Sequence, residues 1–305
     1  MQLAWTILPI FLTLATGYLL VATRVLPKAD WPAIETLSFR VLIPVILLRL
    51  ISQVDFTTGS IGPFAVTLLC VAGLAALSVF LLRPLLRGVV ADPAFTTLFQ
   101  TTTRLNGFVG LAAAELFLGV QGTALMALAM ALLIAPINIV NVLVLTAYGP
   151  QSASWRGIGM SLLKNPLIQA SVLALVLNFS GIAIPKPIED TLELIGRGAL
   201  GIGILAIGAG ISLKRLFLPR WQVVLGLLLR PGLTLGLLVL IAPIFGLSAD
   251  QTLAACFVFG VACATNGYVV ARQMGGDAEL YADIMTWQTL ASLVVLPAMA
   301  IWLLP

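Results

Sequence analysis

Apolar residues run through this chain in long blocks separated by short polar breaks. A bilayer-crossing helix needs about 20 mostly apolar residues. Ten blocks meet that length, near 3–23, 32–53, 61–82, 94–118, 122–147, 160–180, 188–212, 221–245, 250–273 and 280–304. Between them lie stretches such as LPKADWP, VDFTTGSIGP, LGVQG, YGPQSASWRG and FGLSAD, rich in the Gly, Pro, Asp and Ser that end helices. The pattern predicts an all-α polytopic membrane protein with ten transmembrane helices.

Two blocks are interrupted. The fourth contains RLNGFVG at 104–110 and the ninth contains TNGYVVA at 265–271. The Asn-Gly-aromatic-Val core recurs 160 positions apart, and Pro136 and Pro297 repeat at nearly the same offset in spans five and ten. Five spans per half is an odd number, so the second half enters the membrane from the opposite side. This predicts two inverted repeats, residues 1–150 and 151–305, an architecture common among secondary transporters. Asn-Gly is a poor helix interior and a good break. Backbone groups freed at a break are tolerated in a membrane only beside protein or a water-filled cavity. The expected site therefore centres on Asn106, Gly107, Asn266 and Gly267, with Thr103 and Thr265 beside them and Asn141 facing the same cavity from span five.

Charge orients the array. Arg24, Lys28, Arg83, Arg87, Arg156, Lys164, Lys214, Arg215, Arg220 and Arg272 all fall at odd-numbered connections, whereas the even ones hold little beyond Lys186. The positive-inside rule then puts the odd connections in the cytoplasm and both termini outside. The first block lacks the basic start of a signal peptide and is read as a retained span.

Composition narrows the function. The chain is 60% hydrophobic and 9% charged, against roughly 25% charged in a soluble protein. It has no histidine and three cysteines, none in CxxC spacing, so His-based triads and zinc sites are excluded. No phosphate-binding GxxxxGK[ST] stretch occurs. A net charge of +4, scattered singly among loops, does not point to nucleic acid. No enzyme and no cofactor is expected.

Arg104 lies about ten residues into its span, roughly 15 Å deep at 1.5 Å per residue. A charge at that depth costs at least ~2.5–3.5 kcal/mol and faces a partner or a cavity. Arg40, Arg197 and Arg230 also fall within spans, and Arg49 near an end. Glu115 is the one acid read as lying at depth. Cation in excess of anion predicts an anionic substrate, because guanidinium binds carboxylate in bidentate fashion. The alternative role for these arginines is bonding to helix C-terminal carbonyls. No acid falls at the crossing, so the sequence names no coupling ion.

RLNGFVGLAAAELFLG at 104–119, KNPLIQASVLALVLNFSGIAIPKPIEDTLELIGRGALGIGILAIGAGISL at 164–213 and ATNGYVVARQMGGDAELYADIMTWQTLASLVVLP at 264–297 resemble the auxin efflux carrier family, particularly its short bacterial members. The resemblance implies crossing, broken fourth and ninth helices around the substrate. It also implies a scaffold of spans 1, 2, 6 and 7, a mobile domain of spans 3–5 and 8–10, and an elevator-type motion. A homodimer in the bacterial inner membrane and a small organic anion, mainly a carboxylate, as substrate follow from the same resemblance. The family's crossover prolines are absent: Gly110-Leu111-Ala112 and Cys263-Ala264-Thr265 occupy those places. A sodium-coupled symporter of the bile acid symporter-like class is the alternative reading, and a non-transporting membrane scaffold a third.

Overall fold

The computed structural model describes residues 2–54, 61–149, 155–210 and 220–303. Lys214 and Arg215 of the expected basic connection, and the expected boundary between residues 150 and 151, lie outside the described residues. The described residues are helical and contain no strand. They form α1 (Gln2–Ala22), α2 (Trp31–Leu37), α3 (Ile43–Ser52), α4 (Ile61–Leu86), α5 (Asp92–Thr103), α6 (Gly107–Tyr148) and α7 (Trp155–Leu163). These are followed by α8 (Pro166–Phe179), α9 (Lys186–Gly210), α10 (Trp221–Leu227), α11 (Thr234–Ile241), α12 (Ala249–Phe259), α13 (Asn266–Met274) and α14 (Ala278–Leu303).

Wider π turns at Ser38–Leu42 and Leu228–Leu233 join α2 to α3 and α10 to α11. Gly119, at φ 61° and ψ −147°, folds α6 into two legs where LGVQG predicts a turn. The expected ten blocks thus reappear as helical segments in order. Among the described residues, five stretches are long and apolar enough to cross a membrane: Ile61–Leu86, Asp92–Tyr148, Lys186–Gly210, Trp221–Ile241 and Ala278–Leu303.

Local chemistry explains the ends. At the end of α1 Arg24 adopts a left-handed φ of 60° and Leu26 N–H returns to the Leu20 carbonyl at 3.1 Å, after which Pro27 bars continuation. Buried Arg83, near the end of α4, donates to the Val90 carbonyl at 2.8 Å and pairs with Asp92, which opens α5. Asp277 does the same for α14. Its Oδ1 accepts the Leu280 N–H, its Oδ2 accepts from Arg220, its own N–H donates to the Pro93 carbonyl, and its carbonyl accepts from the Thr97 hydroxyl. The starts of α5, α10 and α14 are tied together there.

Packing follows two groupings. α1 lies on α9, and α3 on α8 and α9; α4, α5 and α10–α14 pack mainly among themselves, with α12 against α6. The first leg of α6 touches both groups. Every residue of α5 from Ala94 to Thr103 is buried. Thr97 donates its hydroxyl to the Asp277 carbonyl, and the other threonines satisfy theirs on the preceding turn, as Thr101 does on the Thr97 carbonyl and Thr102 on the Leu98 carbonyl. A helix so enclosed carries polar side chains at no cost in unpaired hydroxyls.

Candidate functional site

Helix α5 stops at Thr103 because Arg104 takes an extended backbone (φ −71°, ψ 124°), as does Asn106 (φ −99°, ψ 100°). Asn106 then caps α6: its Oδ1 accepts the N–H groups of Phe108 at 3.1 Å and Val109 at 3.3 Å. Its Nδ2 donates to the Cys263 carbonyl at 3.2 Å. Cys263 lies in the second break, between α12, which ends at Phe259, and α13, which starts at Asn266. One asparagine therefore joins the two interruptions.

Three residues not singled out as site residues in the sequence complete the junction. Arg230, 1% exposed, donates to the Val261 carbonyl at 2.7 Å, the Thr102 carbonyl at 2.9 Å and the Val258 carbonyl at 2.5 Å. These carbonyls belong to the ends of α5 and α12, where helical partners run out. Gln288 of α14 accepts the Cys263 N–H at 2.9 Å and donates to the Thr101 and Gly226 carbonyls at 3.3 Å. Tyr281 donates its hydroxyl to the Ala264 carbonyl at 2.6 Å. The breaks are thus held by side chains that replace the missing helical bonds.

A cavity of about 430 Å³ lies against this junction. That volume suits a small molecule. One wall is Arg104, Leu105, Asn106, Gly107 and Phe108 from the first break, and another is Ala264, Thr265, Asn266, Val269 and Val270 from the second. Met130, Ile134, Ile137 and Asn138 of α6 close a third side. Glu35, Phe39, Arg40 and Ile43 of the α2–α3 span, with Asn165 and Leu167 at the start of α8, face them. The lining is mainly apolar with polar groups at the breaks.

Of the residues expected from sequence, Arg104, Asn106, Gly107, Thr265 and Asn266 line this cavity together. Asn106 is 2% exposed and fully bonded, whereas the Asn266 side chain is exposed with no hydrogen bond among the described residues. Thr103, Asn141 and Gly267 stand behind the lining. Asn141 Nδ2 donates to the Thr103 hydroxyl at 2.9 Å and to the Ile137 carbonyl at 2.8 Å, so this pair locks α5 to the second leg of α6. Gly267 carries no side chain because Tyr281 occupies the space: a Cβ there would lie 2.1 Å from the tyrosine oxygen. Asn165 caps α8 through the N–H groups of Leu167 and Ile168, a role legible in its Asn-Pro sequence.

The arginines divide by partner. Arg49 and Arg197 share Glu193, at 2.9 and 2.5 Å, and Arg230 has its carbonyls. Arg104, 4% exposed, donates Nε to Gln100 at 3.1 Å and Nη1 to Asn138 at 2.9 Å. Both partners are neutral amides, and no ion pair to Arg104 exists among the described residues. Arg104 is thus a desolvated guanidinium at the cavity wall without a counter-ion among the described residues. Glu115, the acid expected at depth, is exposed on the first leg of α6 near Gly119 and outside the cavity.

The family model described as membrane transport protein matches residues 152–301. Over those residues, just under half of the chain, the sequence is similar to the membrane transport protein family. The region contains Arg230, Thr265, Asn266, Tyr281 and Gln288, and with them the second break; the stretches at 164–213 and 264–297 that resemble auxin efflux carriers both lie within it. Membrane transport agrees with a cavity set at interrupted helices. Arg104 and Asn106 precede the matched region and meet it in space. Comparison with curated proteins gives no match to this chain.

Proposed function

We propose that this membrane transport protein is a secondary carrier that moves a small organic anion, most simply a carboxylate, held in the cavity between the two helix breaks. The observation that carries the reading is Arg104. It is a buried cation without an anionic partner, at the wall of a cavity whose other charged groups are Glu35 and Arg40 and whose remaining lining is amides, threonines and apolar side chains. The starts of α6 and α13 border the same volume, and the positive ends of their helix dipoles add positive potential there. The apolar walls of Phe39, Ile134, Ile137 and Val269 suit the carbon body of the cargo.

The duplicated Asn-Gly breaks and the two packing groups support an inverted-repeat, elevator-type carrier. In it, α4–α6 and α10–α14 move against a scaffold of α1–α3, α8 and α9. The cavity touches the starts of α2 and α8, both adjoining odd-numbered connections. With the orientation set by loop charge, this is a state facing the cytoplasm, and Val109, Met126 and Phe257 in the main core fill the far side. A homodimer formed through the scaffold in a bacterial inner membrane completes the proposal.

The test is flux into proteoliposomes containing the purified chain. A labelled carboxylate should enter saturably and show counterflow when the lumen is preloaded with the unlabelled compound. Arg104→Met should abolish both. Saturable flux that requires external sodium would favour the sodium-coupled alternative, and absence of counterflow for every carboxylate tried would remove the carrier reading.

A further inference from the structure

Glu35 stands in the wall of the same cavity, on α2, half-buried. Its carboxylate has no hydrogen bond and no ion pair among the described residues. Pro32 and Thr36 flank it at the cavity, and Arg40, on the π turn that follows, borders the cavity too. Glu35, Arg40 and Arg104 are the ionisable groups of the lining, and none of the three pairs with another.

The other charges around α2 do not neutralise Glu35. Lys28 and Asp30, on the turn before it, are exposed, as is Lys164 ahead of α8. On α9, packed against α2, Glu193 is taken by Arg49 and Arg197, and Lys186 pairs with Asp190. An acid in a membrane protein that faces a cavity and lacks a partner is a candidate proton carrier.

The anion site and this carboxylate share one small volume. A sphere of about 430 Å³ is roughly 9 Å across, and like charges at that distance in an effective dielectric near 20 weaken binding on the order of 20-fold. Protonating Glu35 removes that repulsion, and by linkage a bound anion favours the protonated acid to the same degree. We infer that Glu35 is the proton site of this carrier, so that an anion and one proton occupy the cavity together. The carboxylate takes the proton from water on the side that the cavity faces, forming one O–H bond. It gives the proton back to water on that same side when the anion leaves. This inference rests on the anion-carrier reading of the same cavity.

The experiment measures binding of phenylacetate, benzoate and octanoate to the purified full chain in detergent from pH 5.5 to 8.5, where the probes' own carboxyl groups are ionised (ordinary range about 4). Calorimetry in two buffers of different ionisation heat counts protons. For whichever probe binds, affinity should fall on the order of 20-fold from the acid to the alkaline end, with net uptake of up to one proton per anion. Glu35→Gln should bind with the tight, acid-side affinity at every pH and take up none. Affinity independent of pH with no proton uptake in the unmodified protein overturns the inference while leaving the anion site standing. An unchanged slope in Glu35→Gln also overturns it. Should Glu35→Gln not fold, the proton count of the unmodified protein decides. Failure of all three probes to bind folded protein at any pH removes the carrier reading itself, and this inference with it.

Discussion

Asn106 reaches across to Cys263: its Nδ2 donates to the Cys263 carbonyl at 3.2 Å while its Oδ1 caps the helix that begins one residue later. Two interruptions 157 residues apart in the chain are thereby one local structure. Asn106→Ala removes a cap and a cross-break bond, together about 1–3 kcal/mol. Asn106→Asp keeps the cap, loses the donated bond and adds a negative charge beside Arg104. Carboxylate affinity, measured by equilibrium binding, should fall tenfold or more in both. The Asp variant should retain more of the thermal stability of the unmodified chain than the Ala variant.

The two buried arginines of the junction have separable roles. Arg230 holds the carbonyl ends of α5 and α12, so Arg230→Met leaves three buried carbonyls short of a donor. The expected loss is about 3 kcal/mol or more, or on the order of 10 °C in Tm, with ligand or without. Arg104→Met removes a cation that bonds only neutral amides and should lower Tm far less, while abolishing carboxylate binding. Thermal unfolding of the two variants with and without carboxylate separates them. Equal destabilisation, or retained binding in Arg104→Met, would falsify the assignment.

Gly267 and Tyr281 form a tight contact beneath the second break. A methyl at 267 collides with a tyrosine that is fully buried and bonded to Ala264. Gly267→Ala should cost about 1–3 kcal/mol, and Tyr281→Leu in the same chain should recover part of that cost. Gly73, on α4, has open space where its Cβ would stand. Gly73→Ala there should be neutral or stabilising by up to ~1 kcal/mol. A thermal double-mutant cycle checks the coupling.

Gly203 of α9 seats the ring of Phe108, which also lines the cavity; a Cβ at 203 would stand 2.0 Å from that ring. Gly203→Ala therefore pushes Phe108 toward the cavity. Transport should slow several-fold and the preference should shift toward smaller carboxylates, read as competition among acetate, benzoate and octanoate in the flux assay.

Much of this arrangement was legible in the sequence. Block length and punctuation located the helical segments, and the repeated Asn-Gly pair located the two breaks that share a cavity. Orientation about each helix axis was less legible, because an apolar span in a membrane protein has no wet face to mark its inward side. Asn138 and Asn141 look alike in sequence, yet Asn138 meets Arg104 at the cavity and Asn141 is spent on Thr103. Glu35 lies in an apolar block near a charged connection, and only the packing of α2 beside the first break makes it a cavity residue. Arg230 reads as one more intramembrane cation until Thr102, Val258 and Val261 are seen to converge on it. The asymmetry of the repeat was also hidden: Asn106 is a buried cap, whereas Asn266 is the first residue of α13 with its amide free at the cavity.

The most direct test of the central claim is thermal stabilisation of the purified chain by carboxylates and by their neutral amides, phenylacetate against phenylacetamide first, in the unmodified protein and in Arg104→Met. An anion held at Arg104 predicts that phenylacetate or another carboxylate raises Tm by several degrees at 100 times its Kd, about 2.7 kcal/mol of linkage. Its amide should do little, and the shift should vanish in Arg104→Met. Equal stabilisation by the amide, or a carboxylate shift that survives Arg104→Met, would contradict an anion site at the helix breaks.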